Sequence, residues 1–363
     1  MNKRMLLPLG LALALSLTAC SSGDPAPLDP VRPSLPVQSE EPAVTATPQP
    51  EESGRNPLTG EPMDEELAAR RPVAVMLNNI KAALPQLGNS QADIIYECLA
   101  EGGITRMLGV YQAPQDVEMI GSIRSSRPYY LELALGHDAL YIHAGGSDDA
   151  YSKMSAWGVD HFDAVRGPYL GNSPGSNMMW RDADRRKNNG LEHSVVATGE
   201  SIETYLPDSV RRDHEEGYRY PQQFADDGAP AGGETANTVK VPFSSYKTGV
   251  FTYDEAQKQY LVSEYGNPYI DGSTGQQVGV TNVLVVKTAC KATGDYLAHI
   301  TVDLTGSGEG YFACGGKLVP ITWSKADRNS PFVYTTQSGE SLVLGRGSSY
   351  VNIVPLDADV TYE

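Results

Sequence analysis

The chain has 363 residues, enough for about two domains, and its 40% hydrophobic content with 20 tyrosines is compatible with real cores. Its formal net charge is −17. A body this acidic is repelled by nucleic acid and by anionic lipid headgroups, which argues against nucleic-acid binding and against attachment to a membrane by charge alone.

Lys3 and Arg4 precede an apolar run from Leu6 to Leu17, and Leu17-Thr18-Ala19-Cys20 has the form of a lipobox. A short basic region followed by an apolar stretch is a secretory leader. About twelve apolar residues are too few to span a bilayer, which takes roughly 20. The pattern predicts a signal peptide over 1–19, cleavage before Cys20 and diacylglycerol on the Cys20 sulfur. It places the mature protein on the outer face of a bacterial cytoplasmic membrane, held by lipid. Residues 20–55 are rich in Pro, Ser and Glu with no apolar period, and read as a disordered tether.

Order is expected from Asn56-Pro57-Leu58-Thr59-Gly60 onward. Apolar runs predict strands over 72–77, 92–99 and 104–111. A helix is expected over 126–135, capped by Ser125 or Ser126 with Pro128 in its first turn. A strand over 139–143 leads into a helix over 147–157, capped by Ser147, and a further helix covers 198–206. Alternating strands and helices give an α/β (or α+β) N-terminal domain over 56–224. Residues 225–238 read as a linker, rich in Gly, Pro and Asp. Beyond them, 239–360 reads as an all-β C-terminal domain, a sandwich or irregular barrel. Its strands are expected over 239–245, 249–254, 259–263, 280–288, 296–304, 310–323 and 349–354.

With Cys20 committed to lipid, Cys98, Cys290 and Cys314 remain, with no CxxC spacing. In a meander of 280–289, 296–304 and 309–323, Cys290 and Cys314 fall at opposite ends of the sheet, too far apart for a disulfide. Buried free thiols are the expectation.

Four motif groups carry a resemblance. They are Asn56-Pro57-Leu58-Thr59-Gly60 with Arg71-Pro72-Val73-Ala74-Val75-Met76; Ala92-Asp93-Ile94-Ile95-Tyr96-Glu97 with Glu101-Gly102-Gly103-Ile104-Thr105-Arg106; Gly121 to Tyr130; and His143-Ala144-Gly145-Gly146-Ser147. In the C-terminal half, Gly266-Asn267-Pro268, Asn282-Val283, Trp323-Ser324-Lys325 and Gly347 to Pro355 follow in order. Together they resemble the YerB-like lipoprotein family, built of two domains of unknown function. The resemblance implies an architecture and a location, and carries no established enzymatic activity. Relatives usually have Pro-His-Asn where this chain has Glu192-His193-Ser194.

Arg124 and Arg127 sit three apart at a loop-to-helix junction beside Ser122, Ser125 and Ser126. Guanidinium forks, hydroxyls and free N–H groups are the equipment of an anion site. The competing reading pairs the arginines with internal acids such as Glu97, Glu101 or Asp148. His143-Ala144-Gly145-Gly146-Ser147-Asp148-Asp149 lies where a strand opens into a helix, a crevice position. Asp148 and Asp149 would repel phosphate and suit an amine or a cation. Gly171-Asn172-Ser173-Pro174-Gly175 matches GxSxG, but Pro174 has no N–H for an oxyanion hole, so Ser173 is no nucleophile. No HxH or HxxxH spacing supports a metal, and no cofactor is expected.

The leading expectation is a non-catalytic, membrane-anchored ligand-binding or adaptor protein meeting a cell-wall or envelope partner. Its polar cleft would draw on Arg106, Arg124, Arg127, Glu97, His143, Ser147 and Asp148. Two alternatives stand beside it. One is an envelope hydrolase or transferase using Glu97 or Glu101 with His143, and His193 as a further candidate. The other is a purely protein–protein adaptor.

Overall fold

The structure is a computed structural model and describes residues 54–363. Cys20, the leader and nearly all of the expected tether lie outside those residues. At its centre is a sheet of 11 strands. In chain order they are β1 Val73–Asn78, β2 Ile94–Leu99, β3 Thr105–Tyr111, β4 Leu140–His143, β5 His161–Asp163, β6 Glu234–Thr235, β7 Asn282–Thr288, β8 Gly306–Cys314, β9 Lys317–Lys325, β10 Val333–Thr336 and β11 Ser349–Pro355. Across the sheet they run β6-β9-β8-β7-β11-β2-β3-β1-β4-β5, with β10 on β9. The N-terminal part is mixed α/β and the C-terminal part strand-rich, and one sheet passes through both. The join is β11, parallel to β2 on one side and to β7 on the other.

Every residue of β1, β2 and β3 is buried, as expected of strands covered on both faces. Alternate residues feed two cores. Val73, Val75, Leu77, Ile95, Val283 and Val285 pack with Val239, Phe251 and Tyr260 of a second, six-stranded sheet. That sheet is built chiefly from Thr238–Pro242, Thr248–Asp254 and Gln259–Glu264. Ala74, Met76, Ile94, Tyr96, Cys98, Leu284 and Val286 line the other core, with Tyr130, Leu131, Ala134 and Met154 of two helices, α1 Pro128–Gly136 and α2 Asp148–Trp157.

The caps follow local chemistry. The Ser147 hydroxyl accepts from the Ala150 N–H at 3.2 Å, Asp148 and Asp149 occupy the first turn of α2, and Gly158 closes the helix in the left-handed region. The expected cap of α1 at Ser125 or Ser126 is corrected to Arg127, whose side chain makes no capping bond. Pro128 is the cause: the residue before a proline is pushed into extended backbone, and Arg127 sits at φ −133°, ψ 157°.

Two strand assignments are also corrected. The strand expected over 310–323 is the hairpin β8–β9, turned at Gly315-Gly316 with φ of 59° and 72°. Positive φ at both central residues is what a tight two-residue hairpin loop demands. The strand expected over 296–304 shrinks to Ile300–Val302, which pairs with Cys290–Ala292 in a separate hairpin rather than in a meander. The Asp295 carboxylate accepts from the N–H groups of Leu297 and His299 at 3.0 and 3.1 Å and folds that segment into a turn. Tyr296 is left at the tip, 94% exposed. Cys98, Cys290 and Cys314 are free thiols.

Candidate functional site

β1, β2, β4 and β5 are mutually parallel and end along one edge of the sheet, at Asn78, Leu99, His143 and Asp163. Ligand sites of open α/β sheets gather beyond such carboxyl ends. The segment 122–127 is laid across this edge by backbone bonds. The Arg124 N–H donates to the Met76 carbonyl at 2.9 Å, the Ala144 N–H to the Arg124 carbonyl at 3.0 Å, and the Ser126 N–H to the Gly145 carbonyl at 2.9 Å. The first turns of α1 and α2 are thereby held side by side.

The structure brings Arg106, Arg127 and Glu101 together. Arg106 donates to the Glu101 carboxylate at 3.1 Å and to the Ser125 carbonyl at 2.7 Å, while Arg127 pairs with the other Glu101 oxygen. Burial pushes the Glu101 carboxyl up, but Arg106 and Arg127 outweigh it and hold the group below its usual value. Burial, and then the charge of Arg127, lowers Arg106 to about 10. Arg124 stands aside and grips the Glu192 carboxylate at 2.6 Å and the Glu192 carbonyl at 3.1 Å. Each of the three guanidinium groups thus has a carboxylate partner within the chain, and Glu101 occupies the place that a ligand carboxylate would take between two of them.

Next to this cluster a cleft of about 790 Å³ opens between the two helix starts and the 290–302 hairpin. Ser125, Arg127 and Glu132 form one wall, Ser147, Asp148 and Lys153 the second, and Asp295, Tyr296, His299 and Asp303 the third. His299 joins the hairpin to the arginine cluster, 3.8 Å from Glu101, and its other ring nitrogen lies 2.7 Å from Asp295. Glu132 is pushed above the ordinary carboxylate range by burial. Asp148 is almost fully exposed and reaches Arg166 at 3.3 Å.

The other candidates lie elsewhere. His143 is fully buried, with Nδ1 2.8 Å from the Gly145 carbonyl and Nε2 3.0 Å from His161. Burial drives its pKa down to about 4 against the pull of Asp163, so its ring is neutral at neutral pH. Asp163 is fully engaged, accepting from the N–H groups of Gly145, Val165 and Arg166 and from the Tyr151 hydroxyl at 2.6 Å. His193 is buried against Asn78 at 2.8 Å. Ser173 lies in an exposed turn.

Glu97 is the largest displacement from expectation. It projects from β2 onto the opposite face from Cys98, into the space between the two sheets, where it is fully buried. Its Oε1 is 3.0 Å from Lys247 Nζ and accepts from the Thr105 hydroxyl at 2.6 Å and Asn79 Nδ2 at 2.8 Å, and its Oε2 accepts from the Tyr350 hydroxyl at 2.6 Å. Lys247 also meets Glu264 at 2.7 Å. Glu97, Glu101 and His143 therefore sit in three separate environments, each with its own partners. Lys247 and Glu264 escaped sequence reading, although a signal existed. Glu264 has the parity of the inward-facing Tyr260 and Val262, and a charge at an inward position of a strand calls for a buried partner.

Residues 58–212 match the N-terminal domain, and 239–351 the C-terminal domain, of the family described as protein of unknown function DUF3048. A relative from Bacillus subtilis (strain 168), "Putative lipoprotein YerB", is 29% identical over 311 residues, which is 83% of this chain and 87% of the relative. The crystal structure of the YerB protein from Bacillus subtilis is similar with a TM-score of 0.71, at 26% identity, over 85% of this chain and 99% of that one.

Proposed function

We infer that this chain, which belongs to the two-domain DUF3048 family, is a lipoprotein anchored through Cys20 on the outer face of the membrane, and that it works as a non-catalytic binding or adaptor protein. The anchor reading rests on the lipobox at Leu17-Thr18-Ala19-Cys20 and on the name carried by the Bacillus relative. Its test is fractionation. Wild type is expected in the membrane pellet with incorporated fatty acid and Cys20→Ala in neither, and an unlabelled wild type would overturn it.

The binding reading rests on the cleft of about 790 Å³ at the carboxyl ends of the parallel strands. Its carboxylates Glu132, Asp148, Asp149, Asp295 and Asp303 outnumber its bases Arg127, Lys153 and His299. Arg127 is paired with Glu101, a carboxylate it shares with Arg106. The walls therefore suit a partner that presents amino or guanidinium groups, and Tyr296 at the rim offers an exposed aromatic ring for a cation or an apolar side chain. Trilysine is the probe. Wild type should bind it by calorimetry at low salt, and Asp148→Lys/Asp149→Lys should weaken it at least about tenfold, since like charges then face each other. No binding to wild type, or equal binding by the variant, would sink the cleft as the site.

A further inference from the structure

We propose that the cleft between the two helix starts takes a ligand of both charges, a peptide or amino-acid derivative whose free carboxylate docks on Arg127 while its ammonium faces the acidic walls. This rests on the cleft being the binding site, and it adds the anionic half of what fills it. The cleft's volume of about 790 Å³ falls within the roughly 300–1,000 Å³ usual for small-ligand sites.

The arginine corner of the cleft is one negative charge short. Arg106 and Arg127 share Glu101, and among the described residues no other carboxylate lies within 4.0 Å of either guanidinium. Arg124 does not alter the count, because Glu192 answers it one for one. Both arginine side chains are largely buried, 7% and 11% exposed. A surplus positive charge that is mostly out of water calls for a further anion. The remaining walls have the opposite surplus. Glu132, Asp148, Asp149, Asp295 and Asp303 lie on them, and Lys153 is engaged by Asp149 at 3.1 Å. Opposite charges separated across one space match a zwitterion, whereas a plain polyamine would meet Arg127 with like charge.

Arg127 also keeps a donor open. Its Nε donates to Glu101 and its Nη1 to the Ser126 carbonyl at 2.6 Å. Its Nη2 donates to nothing among the described residues, yet it is not one of their buried unpaired atoms, so it meets solvent. Arg127 forms part of the cleft wall. The Glu101 oxygen that it holds lies 3.8 Å from His299 of the facing wall, which puts this corner at the cleft itself. The guanidinium groups are positioned before any ligand arrives. Arg106 Nη1 donates to the Ser125 carbonyl at 2.7 Å and Arg127 to the next carbonyl along, so both are tied to one stretch of backbone. A fork held in this way loses little freedom when it takes a carboxylate.

The test compares trilysine, which ends in a free carboxylate, with trilysine amide, by calorimetry at low salt on the folded chain. The amide carries one more net positive charge, so acidic walls alone would favour it. With a carboxylate site at Arg127, trilysine binds the more tightly, by about threefold. Arg127→Gln should abolish or reverse that preference. Glu101→Gln removes the resident carboxylate and should widen it. Amide binding as tight as that of trilysine, or tighter, would overturn the carboxylate site and leave the cleft standing. A preference kept in Arg127→Gln, or not widened in Glu101→Gln, would overturn it too. Binding of neither peptide would instead sink the cleft, and the carboxylate site with it. Should Arg127→Gln not fold, the comparison in wild type and Glu101→Gln decides.

Discussion

Exchanging Lys247 for methionine is expected to lower the unfolding free energy by about 3–5 kcal/mol, measured by urea denaturation. Lys247 is 1% exposed and, among the described residues, is the only ammonium in contact with Glu97 and Glu264. Without it, two carboxylates share one dry space, and at least one must take up a proton before the chain can fold. Adding Glu97→Gln and Glu264→Gln to Lys247→Met should recover most of the loss, because charge and partner then leave together. If the single variant is as stable as wild type, the cluster contributes nothing to folding.

The same titrations across pH carry a sign. Glu264 is raised from 4.5 to about 7, with burial as the main cause. The folded chain therefore keeps a proton that the unfolded chain releases. Its contribution to stability is complete below about 4.5 and is lost as pH rises through about 7.

Arg185→Met is expected to cost about 2–3 kcal/mol, because the lost guanidinium leaves the Pro85 and His193 carbonyls without a donor at about 1 kcal/mol or more each, while the Ala83 carbonyl keeps the Gln86 amide. Arg185 donates to Ala83 O at 2.7 Å, Pro85 O at 2.7 Å and His193 O at 3.0 Å. Asn189 Nδ2, at the C-cap of the short helix Ala183–Asn188 that carries Arg185, reaches Ala82 O at 3.0 Å and Leu84 O at 3.3 Å. These bonds fix the 81–85 loop. Asn189→Ala should act on stability by a smaller amount. Urea midpoints for both variants decide, and an unchanged midpoint in Arg185→Met would remove the clamp from the account.

What the sequence made legible is what local chemistry controls. The buried run at 73–78, the serine cap at 147 and the capped start at Thr198 all stand where periodicity and capping place them. Strand parity along β2 places Cys98 and Glu97 on opposite faces. The contents of each face were not readable. Glu97 meets Lys247 and Glu264 across roughly 150 residues of chain, a pairing no local pattern encodes. The motifs behind the family resemblance also prove to be largely structural. Asn56 caps a turn at 2.9 Å and holds Asp93 at 2.7 Å. Asn282 exchanges bonds of 2.7 and 2.8 Å with the Gly345 backbone. Lys325 ties three carbonyls of the 327–330 turn. The arginines were legible as a cluster, but which acid answers each depended on the path of the Glu101 and Glu192 loops.

The position of β11 has a consequence for how the molecule is assembled. Ser349 pairs with Ile94 on one side and Asn282 on the other, so a strand synthesised after both of its neighbours is the one that closes the middle of the sheet. Until residue 355 is available, β2 and β7 each keep a bare hydrogen-bonding edge, and the halves have no shared sheet. Such long-range closure is slow, and bare edges recruit other chains. Loss of residues 349–355 would remove that strand and leave an aggregation-prone polypeptide rather than a shortened protein. Export of the kind the proposed anchor requires suits this order of events, because a fold that waits for residues 349–355 stays threadable until they have crossed.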